Sequence, residues 1–268
     1  MSEKVITRGR EIRLRRFDPA AIGAVMSREL ANFRTFWKGT TFNSLLDPTI
    51  YLLAFGLGLG STIVGDVAGV PYVQFVGTGM LATAVIFSSA LPAMFGTFVK
   101  HHFQRTYDAI LATPVDTEEL VTAEVLWIAL RSGIYGTFPI LVTFFFGLPP
   151  EPTMLLIPLF CFVTAFGFAS FGIGVAAKAK KIDQFNYVTT TCITPLFLVA
   201  GTFFPIDQLP QWAQVLANAN PLYQLVELVR GACFGFEAVD ALRLLGLVVF
   251  SLVLWRLAIR LMQQRLID

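Results

Sequence analysis

The sequence is poor in the residues that enzymes and metal sites use. It has only two histidines, the adjacent His101 and His102, and three cysteines, Cys161, Cys192 and Cys233, that show neither CxxC pairing nor metal-ligand spacing. Both histidines fall in a predicted loop, so an intramembrane protease would lack a base within the membrane. No GxxxxGK[ST] motif occurs, which excludes ATP binding by a P-loop. We therefore expect no catalytic, metal or cofactor site in this chain.

Charged residues are also scarce, at 14% of the chain against 55% hydrophobic residues, a balance typical of an integral membrane protein. A bilayer core of roughly 30 Å needs about 20 apolar residues per helix. Six runs reach that length, at residues 42–61, 72–99, 125–147, 154–177, 185–204 and 242–262. The predicted fold is all-α, with a six-span transmembrane domain (residues 42–268) after an N-terminal segment (residues 1–41). No short apolar region with a cleavage site follows the basic N-terminus, so we expect no cleaved signal peptide.

Lysine and arginine are unevenly divided between the two sides of these spans. One side carries Lys4, Arg8, Arg10, Arg13, Arg15, Arg16, Arg28, Arg34, Lys38, Lys100, Arg105, Lys178, Lys180, Lys181, Arg256, Arg260 and Arg265. The other side carries only Arg230 and Arg243. Because cytoplasmic segments carry the excess of basic residues, we expect both termini in the cytoplasm and a multi-pass location in the inner (plasma) membrane.

The N-terminal segment contains a predicted amphipathic helix at residues 18–38. Its apolar residues recur at helical spacing and fill one arc, which includes Phe33 and Trp37, while Arg28 lies on the polar arc. This pattern is typical of a helix lying in the inner membrane interface. Simple anchoring is one interpretation, and a gate that also contacts a cytoplasmic partner is the other. Glu29 falls inside the apolar arc, so we expect it to pair with a basic group such as Arg131 or one on the partner.

The second connection, residues 100–124, is a polar loop between two apolar runs. Residues 103–112 are good helix formers and end at Thr113-Pro114, where proline stops a helix. Asp116, with Glu119 three residues later, is a capping-box start for the helix that enters the third span. The loop is therefore predicted to contain a short helix that can pass force to both spans. An ordinary solvated connection is the alternative.

A few polar residues lie within or just outside the predicted spans, where they usually face protein or water and can mark a pathway. The candidates for a pathway or gate are Asp47, Arg131, Thr190, Thr194, Glu227 and Arg230. Arg131 can instead snorkel to the inner head groups, and the threonines can hydrogen-bond to their own helix. Glu227 and Arg230 belong to an outer-side segment, residues 205–241, which is interpreted as two short helices broken at Asn220-Pro221. These helices lie in the interface or dip back into the protein.

Several segments resemble one family in an ordered series. The loop FQRTYDAILATPV (residues 103–115) is followed by EVLW (124–127), DQF (183–185), TPLFLVAGTFFPIDQLP (194–210) and NPLYQLVELVRG (220–231). Together they resemble membrane permease subunits of type-two ATP-binding-cassette (ABC) exporters. The resemblance is strongest to permeases that export nodulation lipo-oligosaccharides, with antibiotic-exporting permeases as near relatives. Thr78-Gly79 stands where a Pro-Gly pair is expected, and Tyr223 stands where relatives often have histidine. Both departures weaken any transfer of substrate identity.

This resemblance implies a transport subunit rather than an enzyme, present in two copies with two ABC-type ATPase subunits that bind ATP and Mg. It implies that the loop helix contacts the ATPase through Arg105, Thr106, Tyr107, Asp108, Leu111 and Thr113. Tyr107 and Leu111, four residues apart, can share one inserted face. The resemblance also suggests an outer gate at Glu227 and Arg230.

The expected substrate is a lipid-linked saccharide or another amphipathic molecule, taken from the cytoplasm or the inner leaflet. Export of a hydrophobic drug or antibiotic is the alternative within the same class. An ATP-independent secondary transporter or a membrane assembly factor is the alternative from a different class. The other expected partner is membrane lipid, and no nucleic acid is expected.

Overall fold

The computed structural model describes residues 18–60 and 65–267, and within these ranges all the regular structure is helical. The α-helices, in chain order, are α1 (Pro19–Phe33), α2 (Trp37–Tyr51), α3 (Tyr72–Phe98), α4 (Thr106–Leu111), α5 (Thr117–Gly136), α6 (Phe138–Phe144), α7 (Ile157–Lys178), α8 (Gln184–Val188), α9 (Thr194–Leu198), α10 (Gln211–Ala219), α11 (Pro221–Phe234) and α12 (Ala238–Ile267). Three π-helical stretches extend or join them, at Leu52–Leu59, Val99–Phe103 and Thr189–Ile193. The all-α prediction is confirmed for the described residues, whereas most of the predicted basic tail, residues 1–17, lies outside them.

Within the described part of the chain, four helical segments are long and apolar enough to cross a membrane, namely Tyr72–Phe103, Thr117–Phe144, Pro152–Lys178 and Ala238–Leu266. They correspond to the second, third, fourth and sixth predicted runs. The first run is α2 with its π-helical extension, and the fifth is α8 and α9 joined by a π-helical stretch. The fifth is short, because three five-residue stretches rise only about 22 Å at 1.5 Å per residue. The chain is therefore a multi-span membrane protein by helix length and composition, and the six-span count stays a prediction.

Helix α7 lies at the centre of the bundle, with α3, α5 and α12 packed around it. Small residues permit the close approach. A Cβ atom added at Gly172 would lie 2.6 Å from the Ala90 carbonyl oxygen of α3, and one added at Gly167 would lie 2.7 Å from the Ser251 hydroxyl of α12. The backbones of these helices therefore approach closely only because these positions carry no side chain.

Substitution of Gly172 by alanine tests this packing. We expect Gly172→Ala to destabilise the protein by about 1–3 kcal/mol, because the added methyl group forces α3 and α7 apart. Gly246→Ala in α12 is the matched control, since nothing lies within 4 Å of a Cβ at that position. The measurement is the thermal unfolding midpoint of each purified variant in the same detergent. Equal midpoints for Gly172→Ala and the parent would show that the interface between α3 and α7 accommodates the added methyl group without strain.

Helix α1 packs along α5 at the end of the bundle that carries Lys100, which we call the Lys100 end. Its start is fixed locally, because the Asp18 side chain accepts a hydrogen bond from the Ala20 amide and Pro19 occupies the first helical position. The helix predicted at residues 18–38 is shorter, because α1 ends at Phe33 and Trp37 begins α2. Ile22, Val25 and Glu29 of α1 are buried against the protein, whereas Leu30 of α1 and Trp37 of the predicted arc are exposed. The apolar arc is thus divided between the bundle and the surface, and the predicted position of this helix in a membrane interface stays a prediction.

The opposite end of the bundle, which we call the Arg230 end, contains α10 and α11. The two helices meet at Asn220-Pro221, the break that the sequence predicts. The Asn220 side chain fixes this junction through two hydrogen bonds. Its Oδ1 accepts from the Leu222 amide at 3.0 Å, and its Nδ2 donates to the Leu196 carbonyl at 2.6 Å. This asparagine therefore ties the junction of α10 and α11 to α9.

Candidate functional site

The loop between α3 and α5 is a compact helical connection. Helix α3 continues through the π-helical stretch Val99–Phe103, and Arg105 then adopts a left-handed conformation with φ of 49° before α4 begins. The left-handed residue separates the two helices, because that conformation cannot continue a right-handed helix. The loop helix predicted at residues 103–112 is consequently shorter, at Thr106–Leu111. Its predicted stop and the following start at Asp116 are present.

Glu119, at the start of α5, joins two helix beginnings. One carboxylate oxygen accepts from the Asp116 amide at 3.0 Å, as the capping-box pattern predicts, and the other accepts from the Asp18 amide at 2.8 Å. The Glu119 side chain is buried, and both hydrogen bonds are partly buried. The result is a fixed junction between the start of α1 and the start of α5.

A buried group of polar side chains lies behind this junction, and we call it the Lys100 cluster: Glu29, Thr97, Lys100, Tyr107 and Glu124. The Lys100 Nζ lies 2.9 Å from Glu29 Oε1 and 2.9 Å from Glu124 Oε1. The second carboxylate oxygen of Glu124 accepts from the Tyr107 hydroxyl and from the Thr97 hydroxyl at 3.4 Å. The side chains of Glu29 and Glu124 are only 6% and 2% exposed. Two carboxylates therefore share one ammonium group inside the protein.

The charges of the Lys100 cluster are balanced, and the protonation state of Tyr107 follows from its surroundings. Arg28 supplies a second positive charge, with its Nη1 atom 2.8 Å from Glu29 Oε1, so the two carboxylates are balanced by two cations. Burial raises the pKa of the Tyr107 phenol well above its usual range, and the negative charge of Glu124 adds to this shift. Tyr107 therefore stays protonated and donates its hydrogen bond to Glu124.

The members of the Lys100 cluster come from four different elements. Glu29 belongs to α1, Lys100 to the π-helical end of α3, Tyr107 to α4 and Glu124 to α5. Removal of one member of a buried ion pair destabilises a protein by about 3–5 kcal/mol. The ion pairs consequently hold α1, α3 and α5 together at the Lys100 end, and α4 is joined to them by the hydrogen bond from Tyr107 to Glu124.

The predicted contact residues of the loop divide into an exposed and a buried set. Arg105, Asp108 and Thr113 are exposed, and Thr106 and Leu111 are half-buried. Tyr107 is buried because its hydroxyl reaches Glu124, so it does not share an exposed face with Leu111. The accessible surface of α4 also includes the two alanines that follow Asp108 and Leu111, namely Ala109 and Ala112.

The residues singled out in the predicted interface helix have different surroundings in the structure. Glu29 pairs with Lys100 and Arg28, and no ion pair joins it to Arg131 among the described residues. Phe33 contacts the Trp127 ring of α5 edge-on, with ring centroids 5.7 Å apart. Trp37 is exposed at the start of α2. The sequence indicates only weakly that Lys100 and Glu124 belong to one buried cluster. Lys100 follows the second apolar run and Glu124 precedes the third, so both are charged residues next to predicted spans.

Asp47 and Arg131 line a cavity of about 660 Å³ between α2, α3 and α5. Arg131 has a single hydrogen bond, from Nη2 to the Ser88 carbonyl at 3.4 Å, and no carboxylate lies within 4 Å of it in the described ranges. Thr190 and Thr194 do not line this cavity. Thr194 donates to the Thr189 carbonyl of its own helical turn at 3.0 Å, which is the local alternative that the sequence left open.

Glu227 and Arg230 belong to a second ion cluster at the Arg230 end. The Glu227 carboxylate lies 3.2 Å from Arg230 and 3.4 Å from Arg243, and Arg243 lies 2.7 Å from the buried Asp240. Arg230 also donates to the Gly201 carbonyl at 2.8 Å and stands 3.8 Å over the Phe75 ring. These ion pairs and contacts connect α11, α12, the first turn of α3 and the loop after α9.

The sequence profile of the ABC-2 type transporter family matches residues 20–234. The chain is 32% identical over 237 residues to "Nodulation protein J" of Sinorhizobium fredii, covering 87% of this chain and 90% of that protein. It is 29% identical over 244 residues to the protein of the same name in Neorhizobium galegae, covering 91% and 93%. It is also 27% identical over 242 residues to "Inner membrane transport permease YadH" of Escherichia coli, covering 88% and 94%.

Proposed function

The chain belongs to the ABC-2 type transporter family, and on that premise we propose that it is the permease subunit of an ATP-driven exporter whose ATPase is a separate subunit. The observation that carries this proposal is the Lys100 cluster, in which the Tyr107 hydroxyl of α4 donates to Glu124 of α5, and the Lys100 ion pairs join α5 to α3 and α1. A permease without its own nucleotide site needs such a connection to receive force from a soluble partner. ATP and Mg bind to that partner.

In the proposed topology the protein lies in the inner membrane and crosses it six times. Both termini are in the cytoplasm. The first span is α2 with its π-helical extension, and the fifth is the α8–α9 segment. The Lys100 end is then cytoplasmic and the Arg230 end is outer, in agreement with the excess of Lys and Arg at the former. In this topology α1 lies in the inner interface with Leu30 toward lipid, and Trp37 lies beside it at the start of α2.

The proposed contact with the ATPase is the exposed surface of the loop formed by Arg105, Asp108, Ala109, Ala112 and Thr113. Two small alanines between charged residues offer a flat surface with a polar rim, which a groove on a soluble protein can cover. Closure of the ATPase pushes α4, the Tyr107 hydrogen bond passes the movement to Glu124 of α5, and the Lys100 ion pairs pass it on to α3 and α1. Tyr107 acts within the protein by holding Glu124 rather than by touching the partner.

The working unit is proposed to contain two copies of this chain. Exposed apolar side chains on α2, among them Phe42 and Ile50, form a face that either lipid or a second copy covers. A path that opens between two copies would have α2 on one wall. The favoured substrate is a lipid-linked saccharide, in line with the resemblance to lipo-oligosaccharide exporters. An amphipathic drug is the second candidate. Sensitivity to amphipathic antibiotics after gene deletion would favour the drug, and a changed envelope glycolipid profile would favour the saccharide.

Co-purification from gently solubilised native membranes tests the coupling proposal. We expect a protein with a P-loop to accompany the tagged parent chain and to be lost from Ala109→Trp, because the indole obstructs the exposed surface of α4. Ala238→Trp is the matched control, since Ala238 is an exposed alanine at the opposite end of the bundle. Mass spectrometry identifies the partner by its P-loop peptides.

The comparison is made at equal abundance and with the same elution volume on gel filtration. Retention of the ATPase by Ala109→Trp would place the contact elsewhere on the chain. A well-folded parent that brings down no P-loop protein would contradict the ATP-driven proposal, and a secondary transporter or an assembly factor would then be the better explanation.

A further inference from the structure

Two opposite charges face the cavity between α2, α3 and α5 without being paired. Arg131 makes one hydrogen bond, at 3.4 Å to the Ser88 carbonyl, although a guanidinium group has five N–H donors. Asp47 has neither an ion pair nor a hydrogen bond within the described part of the chain. They are the only charged side chains among the described residues that line this cavity. An unpaired charge at membrane depth is costly, so each of the two would be stabilised by approach to the other.

Helix α2 is the wall of this cavity that packs least tightly. None of the side chains described on α2 is fully buried, whereas α3 and α5, which form the other walls, both have many buried side chains. The polar residues Thr40, Ser44 and Asp47 recur at helical spacing and line the cavity, so α2 turns a polar face to the bundle. A polar face contributes little burial of apolar surface. Packing therefore does little to hold the middle of α2 in one position.

The two attachments of α2 to the bundle lie on either side of Asp47. Near the start of the helix the hydroxyl oxygens of Thr41 and Tyr135 are 2.7 Å apart, and just beyond its end Leu52 is fully buried. Leu52 also begins a π-helical stretch, a rare geometry that occurs frequently at functional sites. The sequence places Pro48 in the helix interior, where it cannot donate the usual backbone hydrogen bond. The segment that carries Asp47 can therefore bend between two fixed points.

We propose that the middle of α2 closes onto the cavity in a second state of the transporter, and that Asp47 then forms an ion pair with Arg131 of the same copy. In the present structure the cavity is open and the two charges are apart. Closure neutralises both charges, so the second state is stabilised by a contact that the first state lacks. Only the force that drives the closure rests on the exporter function above, because the ion pair itself needs no partner protein.

The test measures how fast a thiol in the cavity is labelled. Ala84→Cys, in a background with the three native cysteines replaced by alanine, places the thiol on the α3 wall. A small water-soluble methanethiosulfonate is added to the full chain with its co-extracted subunits, and closure of α2 slows the reaction. We expect Asp47→Asn and Arg131→Gln each to accelerate labelling about three- to tenfold, because the closed state loses its ion pair. The variant with both substitutions should label no faster than either single variant.

Exchange of the two charges distinguishes an ion pair from a change of shape. Asp47→Arg combined with Arg131→Asp should restore slow labelling, which two independent residues would not do. Asp66→Asn, at an exposed acid outside the cavity lining, is the matched control and should leave the rate unchanged. A thiol at Ser27→Cys, exposed on α1, should react at one rate in every variant. Equal Ala84→Cys rates in all variants, additive effects of the two neutral substitutions, or no labelling at all would overturn the proposal.

Crosslinking identifies the copy that supplies each charge. Asp47→Cys combined with Arg131→Cys, in the same cysteine-free background, is treated with a short bifunctional thiol reagent. A crosslinked product with the mass of one chain supports closure within one copy. A product with the mass of two chains would assign the contact to two copies and overturn the proposal, as would the absence of any crosslinked product.

The ion pair and the exporter function fail separately. Non-additive effects of Asp47→Asn and Arg131→Gln in a chain that has no P-loop partner would support the ion pair and overturn the ATP-driven function. An ATPase that co-purifies with a chain whose labelling is the same in every variant would leave the exporter function standing and overturn this inference.

Discussion

Replacement of Lys100 by methionine is expected to destabilise the protein by about 3 kcal/mol. Removal of one partner from a buried ion pair typically costs 3–5 kcal/mol, and the 18% exposure of the Lys100 side chain places this case at the lower end. Glu124 would keep only hydroxyl donors, and Glu29 would keep only Arg28, whose side chain is 42% exposed. The measurement is the thermal unfolding midpoint of purified protein, with Lys180→Met as the control at an exposed lysine.

Neutralisation of the two acids separates the loss of charge from the loss of packing. The variant Lys100→Met with Glu29→Gln and Glu124→Gln has no uncompensated carboxylate, so we expect it to regain most of the lost stability. An unchanged midpoint in Lys100→Met would show that the ion pairs contribute nothing to stability. A combined variant as unstable as the single one would assign the effect to the packing of the lysine stem.

Replacement of Arg230 by methionine is expected to cost about 2–4 kcal/mol and to release the loop after α9. The guanidinium group is the hydrogen-bond donor to the Gly201 carbonyl and lies over the Phe75 ring, so it holds that loop against α3. Hydrogen bonds from a charged group contribute about 1.5–3 kcal/mol and a desolvated cation–π contact about 2 kcal/mol. Glu227 retains Arg243, which limits the loss. The measurement is the thermal midpoint, with Arg260→Met as the exposed control.

Release of the loop has its own readout. Thr202 is fully buried, so a Thr202→Cys reporter, in a background with the three native cysteines replaced by alanine, should react slowly with maleimide and react faster when combined with Arg230→Met. Arg230→Lys keeps the charge but lacks the planar fork, and we expect an intermediate rate. Slow labelling in every variant would show that contacts other than Arg230 hold the loop.

Features set by neighbouring residues in the chain could be predicted from the sequence. The capping box of Asp116 and Glu119 and the break at Asn220-Pro221 each depend on residues within a few positions, and each is present. The shorter length of α4 could not be predicted in this way, because the left-handed Arg105 that sets it is not a residue type that favours this conformation.

Long-range partners were beyond the reach of sequence patterns. Glu29 was out of place on an apolar arc, which showed that it needed a cation but not which one. Arg131 was the candidate, and Lys100 is the neighbour, because the π-helical end of α3 brings Lys100 beside α1. Tyr107 shares helical spacing with Leu111, yet the hydrogen bond to Glu124 turns it inward. The six-span topology, the ATPase contact and the substrate stay predictions.

The packing of α1 on α5 also has a consequence for the order of events during synthesis. Asp18 and Glu119, which join the starts of the two helices, are 101 residues apart in the chain. At a translation rate of 5–20 residues per second, about 5–20 s pass between their emergence from the ribosome. During that interval the nascent α1 has no protein surface to cover Ile22 and Val25. A membrane surface is the nearest apolar medium, so the residues that later pack on α5 are the ones that hold the new N-terminus beside the bilayer until its partner is inserted.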